Sequence, residues 1–430
     1  MAAAVILLAG CGTRLPDSAF RTPQAPSQTP SRPAATITIG TIASLSNPFD
    51  AQAFAGPSYG LRAFVDDINR RGGINGRRLV LKSCDDSGDG SHNVTCVHRL
   101  VEQDHVFALV ANAILSYGGA NLVNQLGVPD IGSQPIDVAY TQYPHLWDIA
   151  GEDYPREGKV GWNGKLHNGT EVYRYFKVRF PSVPLRAGVV YYNQASSQRY
   201  GDAIARGLEQ EGYSVTTAQV NFALPDFNSV AIKLRHAGVR YVYDAIDRAG
   251  NERLCKAIDD NQLDLTAKIT TTQSWDATIG TSYADSPRCR NEIYATGGSL
   301  NYDDRSSPQV AQFRTAMSRL GWDTTQQMSQ WALEGWAGAR WFADAAASCG
   351  SQLTRACVER FMARATPYDA GGLLIPRDFT VGTGSLAPHE ACINVVRWQD
   401  SANNGAGGWV NQVPDMTRNC YNVPSIAYEP

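Results

Sequence analysis

From Thr36 onward the apolar positions switch between two periods. Residues 37–43 are β-branched and apolar, residues 51–71 repeat with helical spacing, and residues 78–84 return to a strand pattern, the order of a βαβ unit. Gly72-Gly73 can take the left-handed conformation that ends a helix, and Asn75-Gly76 supplies a tight turn into the next strand. The alternation predicts a helix over 91–104, a strand over 106–112, a helix over 117–126 and a strand over 128–132. A second series opens near Tyr154 with a helical region to about Phe180. Strands over 186–193, 214–221, 239–245 and 267–272 then alternate with helices over 198–212, 227–237 and 249–262. Helices over 308–319, 326–348 and 354–365 follow, and Gly-rich, strand-like text begins at Gly371. Right-handed crossovers turn each series into a doubly wound parallel sheet, so the expected fold class is α/β with two lobes.

Charge narrows the function. With 38 Lys+Arg against 41 Asp+Glu the 430-residue chain carries a formal charge of −3, which excludes a basic nucleic-acid binder. The arginine pairs Arg70-Arg71 and Arg77-Arg78 flank a turn beside Asp66 and Asp67 and read as solvated. Apolar residues make up 43% of the chain, yet no run reaches the roughly 18 residues of a spanning helix.

The N-terminus ends an apolar stretch in Leu8-Ala9-Gly10-Cys11, which resembles the lipobox of bacterial lipoproteins and implies lipid on Cys11. It departs from that pattern in having no Lys or Arg before the apolar run. Pro16, Pro23, Pro26, Pro30 and Pro33 sit among Ser, Thr, Gln and Ala over residues 12–35, the composition of a disordered tether. Eight further cysteines show no C-x-x-C pair that would point to zinc or redox chemistry. They fit disulfides in an oxidising compartment. Of the 105 pairings eight cysteines allow, neighbours at the ends of adjacent elements favour Cys84–Cys96, Cys255–Cys289, Cys349–Cys357 and Cys392–Cys420; sequence leaves the connectivity open.

Ile37-Thr-Ile-Gly40, Asp67-Ile-Asn-Arg-Arg-Gly-Gly-Ile-Asn-Gly-Arg77 and Cys84-Asp-Asp86 occur in the order of the N-terminal signature of the leucine/isoleucine/valine-binding family of ABC-transporter solute-binding proteins, which this chain resembles. The likeness extends more loosely through Tyr191-Tyr-Asn193, Tyr200-Gly201 and Val242-Tyr243. It implies a type I periplasmic-binding fold whose three hinge crossovers fall near 150–153, 298–302 and 370–374. The lobes would comprise 36–151 plus 300–372 and 152–299 plus 373–430. It implies an extracytoplasmic, lipid-anchored monomer that captures a small polar or amphipathic ligand by hinge closure and serves a membrane permease, with no cofactor, metal or catalysis. A sensor for a membrane receptor and a secreted α/β hydrolase are the alternatives.

In open α/β sheets a ligand sits beyond the carboxyl ends of the strands, near helix N-termini. After the 106–112 strand, Ala113, Ile114 and Ser116 are therefore candidate contacts, with Ser116 able to cap the next helix instead. Ser133 and Gln134 occupy a first-lobe loop that the resemblance implies touches ligand. In the second lobe Tyr200 matches the family tyrosine whose ring closes over the ligand, and Asp247 lies in another contact loop, where with Arg248 it also reads as a solvated pair. Gln273 falls where amino-acid-binding members place the acid that pairs with the ligand's ammonium. This departure implies a ligand without an α-ammonium, unless Asp244 or Asp247 substitutes. Trp275 follows a strand end and is either wall or core, whereas Trp331, Trp336 and Trp341 read as packing. Neither a Walker loop nor a Gly-x-Ser-x-Gly elbow occurs, and His389-Glu390 lacks the second histidine of a zinc protease.

Overall fold

The computed structural model describes residues 36–47, 50–323 and 327–430. Cys11 and the 12–35 segment lie outside the described residues. The first series builds β1 (Thr36–Ala43), α1 (Ala51–Arg70), β2 (Arg78–Asp85), α2 (Gly90–Val97), β3 (Ala108–Val110), α3 (Ala120–Gln125), β4 (Asp130–Ser133) and β5 (Leu146–Asp148). Its five strands form a parallel sheet in the order β2-β1-β3-β4-β5. Gly72, Gly73, Asn75 and Gly76 all take positive φ between α1 and β2, as their sequence implies. The acidic pair after β2 has a structural task. Asp85 accepts from the amides of Leu45 and Ser87, and Asp86 from the hydroxyl of Ser44 and the side chain of Asn93, which fixes the loop leaving β1.

The second series runs β6 (Leu166–Gly169), α4 (Glu171–Arg179), β7 (Arg186–Tyr192), α5 (Ala195–Gln210), β8 (Ser214–Val220), α6 (Phe227–His236), β9 (Tyr241–Ala245), α7 (Arg248–Asp260) and β10 (Ala267–Thr270). The single-turn helices α8 (Ile279–Ser282) and α9 (Pro287–Arg290) lead to β11 (Ile293–Gly297). Parallel strands in the order β8-β7-β9-β10-β11 repeat the winding of the first sheet.

Three helices follow, α10 (Pro308–Arg319), α11 (Gln330–Ser348) and α12 (Arg355–Met362). α11 packs on α1 backbone to backbone: a Cβ on Gly60 would lie 1.8 Å from the carbonyl oxygen of Ala332, and one on Gly335 2.2 Å from that of Pro57. This helix therefore belongs with the first sheet although it follows the second in sequence. Trp336 meets Phe64 edge to face at 5.1 Å and Trp341 stacks on Tyr368 at 4.9 Å; all three tryptophans of α11 are buried. The C-terminal strands are β12 (His389–Cys392), β13 (Asn394–Gln399), β14 (Gly408–Asn411), β15 (Cys420–Val423) and β16 (Ser425–Tyr428). β13 extends the second sheet antiparallel to β11, and β14 pairs antiparallel with β13. All four disulfides carry the pairing favoured above.

The helical reading of 154–180 is corrected. Only Glu171–Arg179 is helical, and β6 before it pairs with β16 near the C-terminus. Gly158, Gly161, Asn163 and Gly164 take positive φ there and break any helix. A strand partner so distant in sequence leaves no local periodicity to read.

The chain passes between the sheets three times, after Asp148, after Gly297 and between Met362 and His389. At the first passage Asp148 accepts from the amides of Ala150 and Gly151 at 2.7 and 2.9 Å. The Arg156 guanidinium lies 4.3 Å from the Trp147 ring and donates to the carbonyl of Leu146. Burial pushes Asp148 up to about 6, with the two amides and the charges of Arg156 and Arg377 opposing. Burial, then the neighbouring charges of Asp148 and Asp153, push Glu152 up to about 8. A carboxyl raised on folding stabilises the fold below its unfolded value, and that stabilisation is lost as pH climbs through the folded value. The melting midpoint should therefore fall between pH 4.5 and about 8, and Glu152→Gln should flatten the fall. Matching slopes for parent and variant in a thermal-shift series would refute the assignment.

Candidate functional site: a cavity at the switch point of the second sheet

Between β7 and β9 the winding of the second sheet reverses, and such a switch point opens a crevice beyond the carboxyl ends of the strands. Here it is a cavity of about 610 Å³. Its lining is polar on one side: Gln194 and Ser196 where α5 begins, Asp244 near the end of β9 and Asp247 beyond it, and Thr271 and Gln273 beyond β10. Its walls are apolar and aromatic, formed by Tyr173, Tyr200, Ile204, Phe222, Tyr243 and Ile269. The hydroxyl of Tyr243 is buried and has no hydrogen-bond partner among the described residues. Leu115, beyond β3, lines the cavity from the first sheet.

The charges around this cavity are unequally partnered. Asp244 is neutralised by Lys268, whose side chain is 1% exposed and donates to it at 2.7 Å while also bonding Asn251. Asp247 caps α7, accepting from the amide of Gly250 at 2.8 Å and from the hydroxyl of Tyr192 at 2.7 Å; it makes no ion pair among the described residues. Arg248 turns away from Asp247, pairs with Asp276 and donates to Thr278, and its Nε stands 3.5 Å from Asp50.

Asp50 caps α1, accepting from the amide of Ala53 at 3.1 Å, so this pair ties the helix layer of the first sheet to the loops of the second. Trp331 of α11 adds a bond from its indole nitrogen to the hydroxyl of Thr272 at 3.0 Å, and the amide of Gln330 bonds the carbonyl of Trp275 at 2.8 Å. Burial raises the Asp50 carboxyl above its ordinary range although Arg248 opposes it. For Arg248 burial works to lower the pKa, but Asp276 and Asp50 outweigh it and hold the guanidinium charged.

Residues 36–405 match a family described as periplasmic binding protein. The chain belongs to that family. A Leu/Ile/Val-binding protein homolog of Brucella melitensis is 25% identical over 223 residues, 49% of this chain and 54% of that one. An amino acid binding protein of Pseudomonas aeruginosa is 26% identical over 200 residues, 45% and 50% of the two chains. The chain thus matches about half the length of these curated relatives. Among solved structures, a solute binding protein of R. palustris in complex with benzoate superposes with a TM-score of 0.64 at 12% identity, covering 91% of this chain and 98% of that one. A branched-chain amino acid transporter substrate binding protein of Streptococcus pneumoniae in complex with isoleucine gives 0.64 at 15% identity over 87% and 99%. At such identities the likeness establishes the fold.

In this periplasmic binding protein the nine residues singled out from sequence divide. Tyr200, Asp247 and Gln273 come together on the cavity. The first-lobe candidates are engaged elsewhere. Ala113 is buried, with its amide bonded to Ile42 and its carbonyl to Ser44, and Ile114 is buried in the core. Ser116 is half-buried and caps nothing, because α3 starts later, after Gly119. Ser133 gives its hydroxyl proton to the buried Asp130 and accepts from the amide of Asn112. Gln134 donates to Glu334 at 2.8 Å. Trp275 is fully buried beside Trp409, ring centres 6.1 Å apart, so it is core and not wall. Arg248 is no solvated partner of Asp247 but a buried link between lobes. Sequence reasoning passed over Asp50, whose signal was available as an acid directly before a helix.

Replacing Arg248 by Met would leave Asp50 and Asp276 buried without their cation. Loss of one partner of a buried ion pair costs about 3–5 kcal/mol. Denaturant unfolding of Arg248→Met should show that loss at pH 7 and a smaller one at pH 5, where Asp50 is more readily protonated. Equal stability of variant and parent at pH 7 would show that the cluster does not join the lobes.

Proposed function

We propose that the protein captures a small amphipathic solute outside the cell membrane and delivers it to an ABC importer. The observation that carries this reading is the cavity at the β7/β9 switch point, bordered by direct contacts from the helix layer of the other sheet. Membership of the periplasmic binding protein family supports it, as do relatives named for leucine, isoleucine and valine binding and structural neighbours holding benzoate and isoleucine. In this reading residues 36–151 plus 300–372 and 152–299 plus 373–430 act as two lobes, and the chain works as a monomer without cofactor or catalysis. A solute touching both lobes favours the closed arrangement by its differential affinity, and the closed shape is what a permease recognises.

Native mass spectrometry of protein purified from producing cells should detect a bound solute. Adding that solute to stripped protein should reduce the radius of gyration in solution scattering. Tyr200→Ala should weaken binding about ten-fold, since aromatic walls contribute on the order of 1 kcal/mol beyond area. Protein that neither retains nor compacts around any solute defeats the reading.

The anchor is part of the same proposal. Leu8-Ala9-Gly10-Cys11 and the Pro-rich stretch after it support lipid on Cys11, which would hold the protein at the outer face of the membrane. Intact-mass analysis of the membrane fraction should give a mature chain that begins at a diacylated Cys11; any other mature N-terminus rejects the anchor.

A further inference from the structure

The cavity is larger and more apolar than a branched-chain side chain requires, and its charges do not suit a carboxylate. Six apolar or aromatic side chains, Tyr173, Tyr200, Ile204, Phe222, Tyr243 and Ile269, wall a space of about 610 Å³. Counting the charged residues on its lining and their ion-pair partners, four carboxylates (Asp50, Asp244, Asp247, Asp276) face two cations (Arg248, Lys268). Both cations are already held by carboxylates. Asp247 alone among the four makes no ion pair among the described residues; one of its oxygens is taken by Tyr192 and Gly250. A ligand carboxylate would meet a lining whose one cation, Arg248, is already held by Asp276 and Asp50. A ligand cation would find an unpaired carboxylate beside aromatic faces, whose quadrupoles attract positive charge.

We propose that the solute is an organic cation with a sizeable apolar body and no carboxylate, its ammonium held at Asp247 and its body in the second-lobe chamber. The inference rests on the solute-binding reading above and names its ligand class. It also alters the expectation drawn from Gln273. The acid lost at that position is supplied by Asp247 from the neighbouring loop, and the aromatic chamber, not an α-carboxylate site, selects the remainder of the molecule. Asp244 does not serve in that role, because Lys268 and Asn251 already occupy both of its oxygens.

The test is calorimetric titration of the full-length, ligand-stripped protein with three probes sharing one body: 4-phenylbutylamine, 4-phenylbutanol and 4-phenylbutyrate. The amine should bind tightest and the carboxylate weakest, each step about ten-fold, the scale of a hydrogen bond to a charged group. Asp247→Asn, which keeps a good helix cap, should erase the preference for the amine over the alcohol. Ile204→Trp, which fills the chamber, should weaken all three. In the parent protein the affinity of the amine should fall with added salt while that of the alcohol stays level, a readout that needs no variant. Equal or tighter binding of the carboxylate, an unchanged preference in a folded Asp247→Asn, or no binding of any probe overturns the proposal. Solute retention in the native mass experiment decides the broader reading separately, so a bound anion there would sink this inference and leave that reading standing.

Discussion

A guanidinium removed from water loses several kcal/mol of hydration unless carboxylates replace it, and Arg248 is placed where those carboxylates come from different parts of the chain. Asp276 belongs to the loop after β10 and Asp50 to the start of α1, under the other sheet. The buried charge of Arg248 therefore depends on the relation between the lobes. Arg248 lines the cavity while its two partners sit behind it, so the position of α1 and the charge of that lining are set together. Asp50 is doubly committed, since its carboxylate caps α1 through the amide of Ala53 as well as facing Arg248.

Duplication explains where the site lies. Both sheets wind in the 2-1-3-4-5 order, and each has a reversal at which strand ends diverge. In the first sheet, polar groups beside β3 and β4 are spent on the protein itself: Asn112, Ser133, Tyr117 and Tyr140 all donate to the buried Asp130. Four donors on one carboxylate satisfy it fully and commit the hydroxyls of Ser133, Tyr117 and Tyr140. In the second sheet the corresponding space is open and lined by aromatic rings. Two similar windings thus differ in which polar groups they leave on a cavity.

The disulfides sit at the edges of this arrangement. Cys84–Cys96 joins β2 to α2 and Cys255–Cys289 joins α7 to α9, each fastening a helix to its neighbour on one lobe, while Cys349–Cys357 fastens α11 to the start of α12. Each closes a short stretch of chain, and such bridges stabilise by about 2–4 kcal/mol without linking the two sheets.

How much of this was legible follows from the range of each interaction. Period-2 and period-3.6 patterns, the Gly72-Gly73 and Asn75-Gly76 punctuation and the spacing of cysteines are local, and they pointed to the alternation of strands and helices, the turn geometry and the favoured disulfide pairing. Tyr200, in the second turn of α5, and Asp247, just before α7, were placed on the cavity side by the family resemblance. Other features depend on partners far apart in the chain. The side chain of Gln134 is taken by Glu334 of α11, 200 residues on, and Trp275 is core because Trp409 comes back to cover it. β6 exists because β16 returns to pair with it, and Arg248 is buried because α1 brings Asp50 against it. Sequence by itself determined the elements and their winding, since backbone propensity and hydrophobic period act within a few residues. Which polar groups remain available to a solute was decided by tertiary structure alone, because hydrogen bonds and ion pairs go to whichever partner the fold brings within about 3 Å.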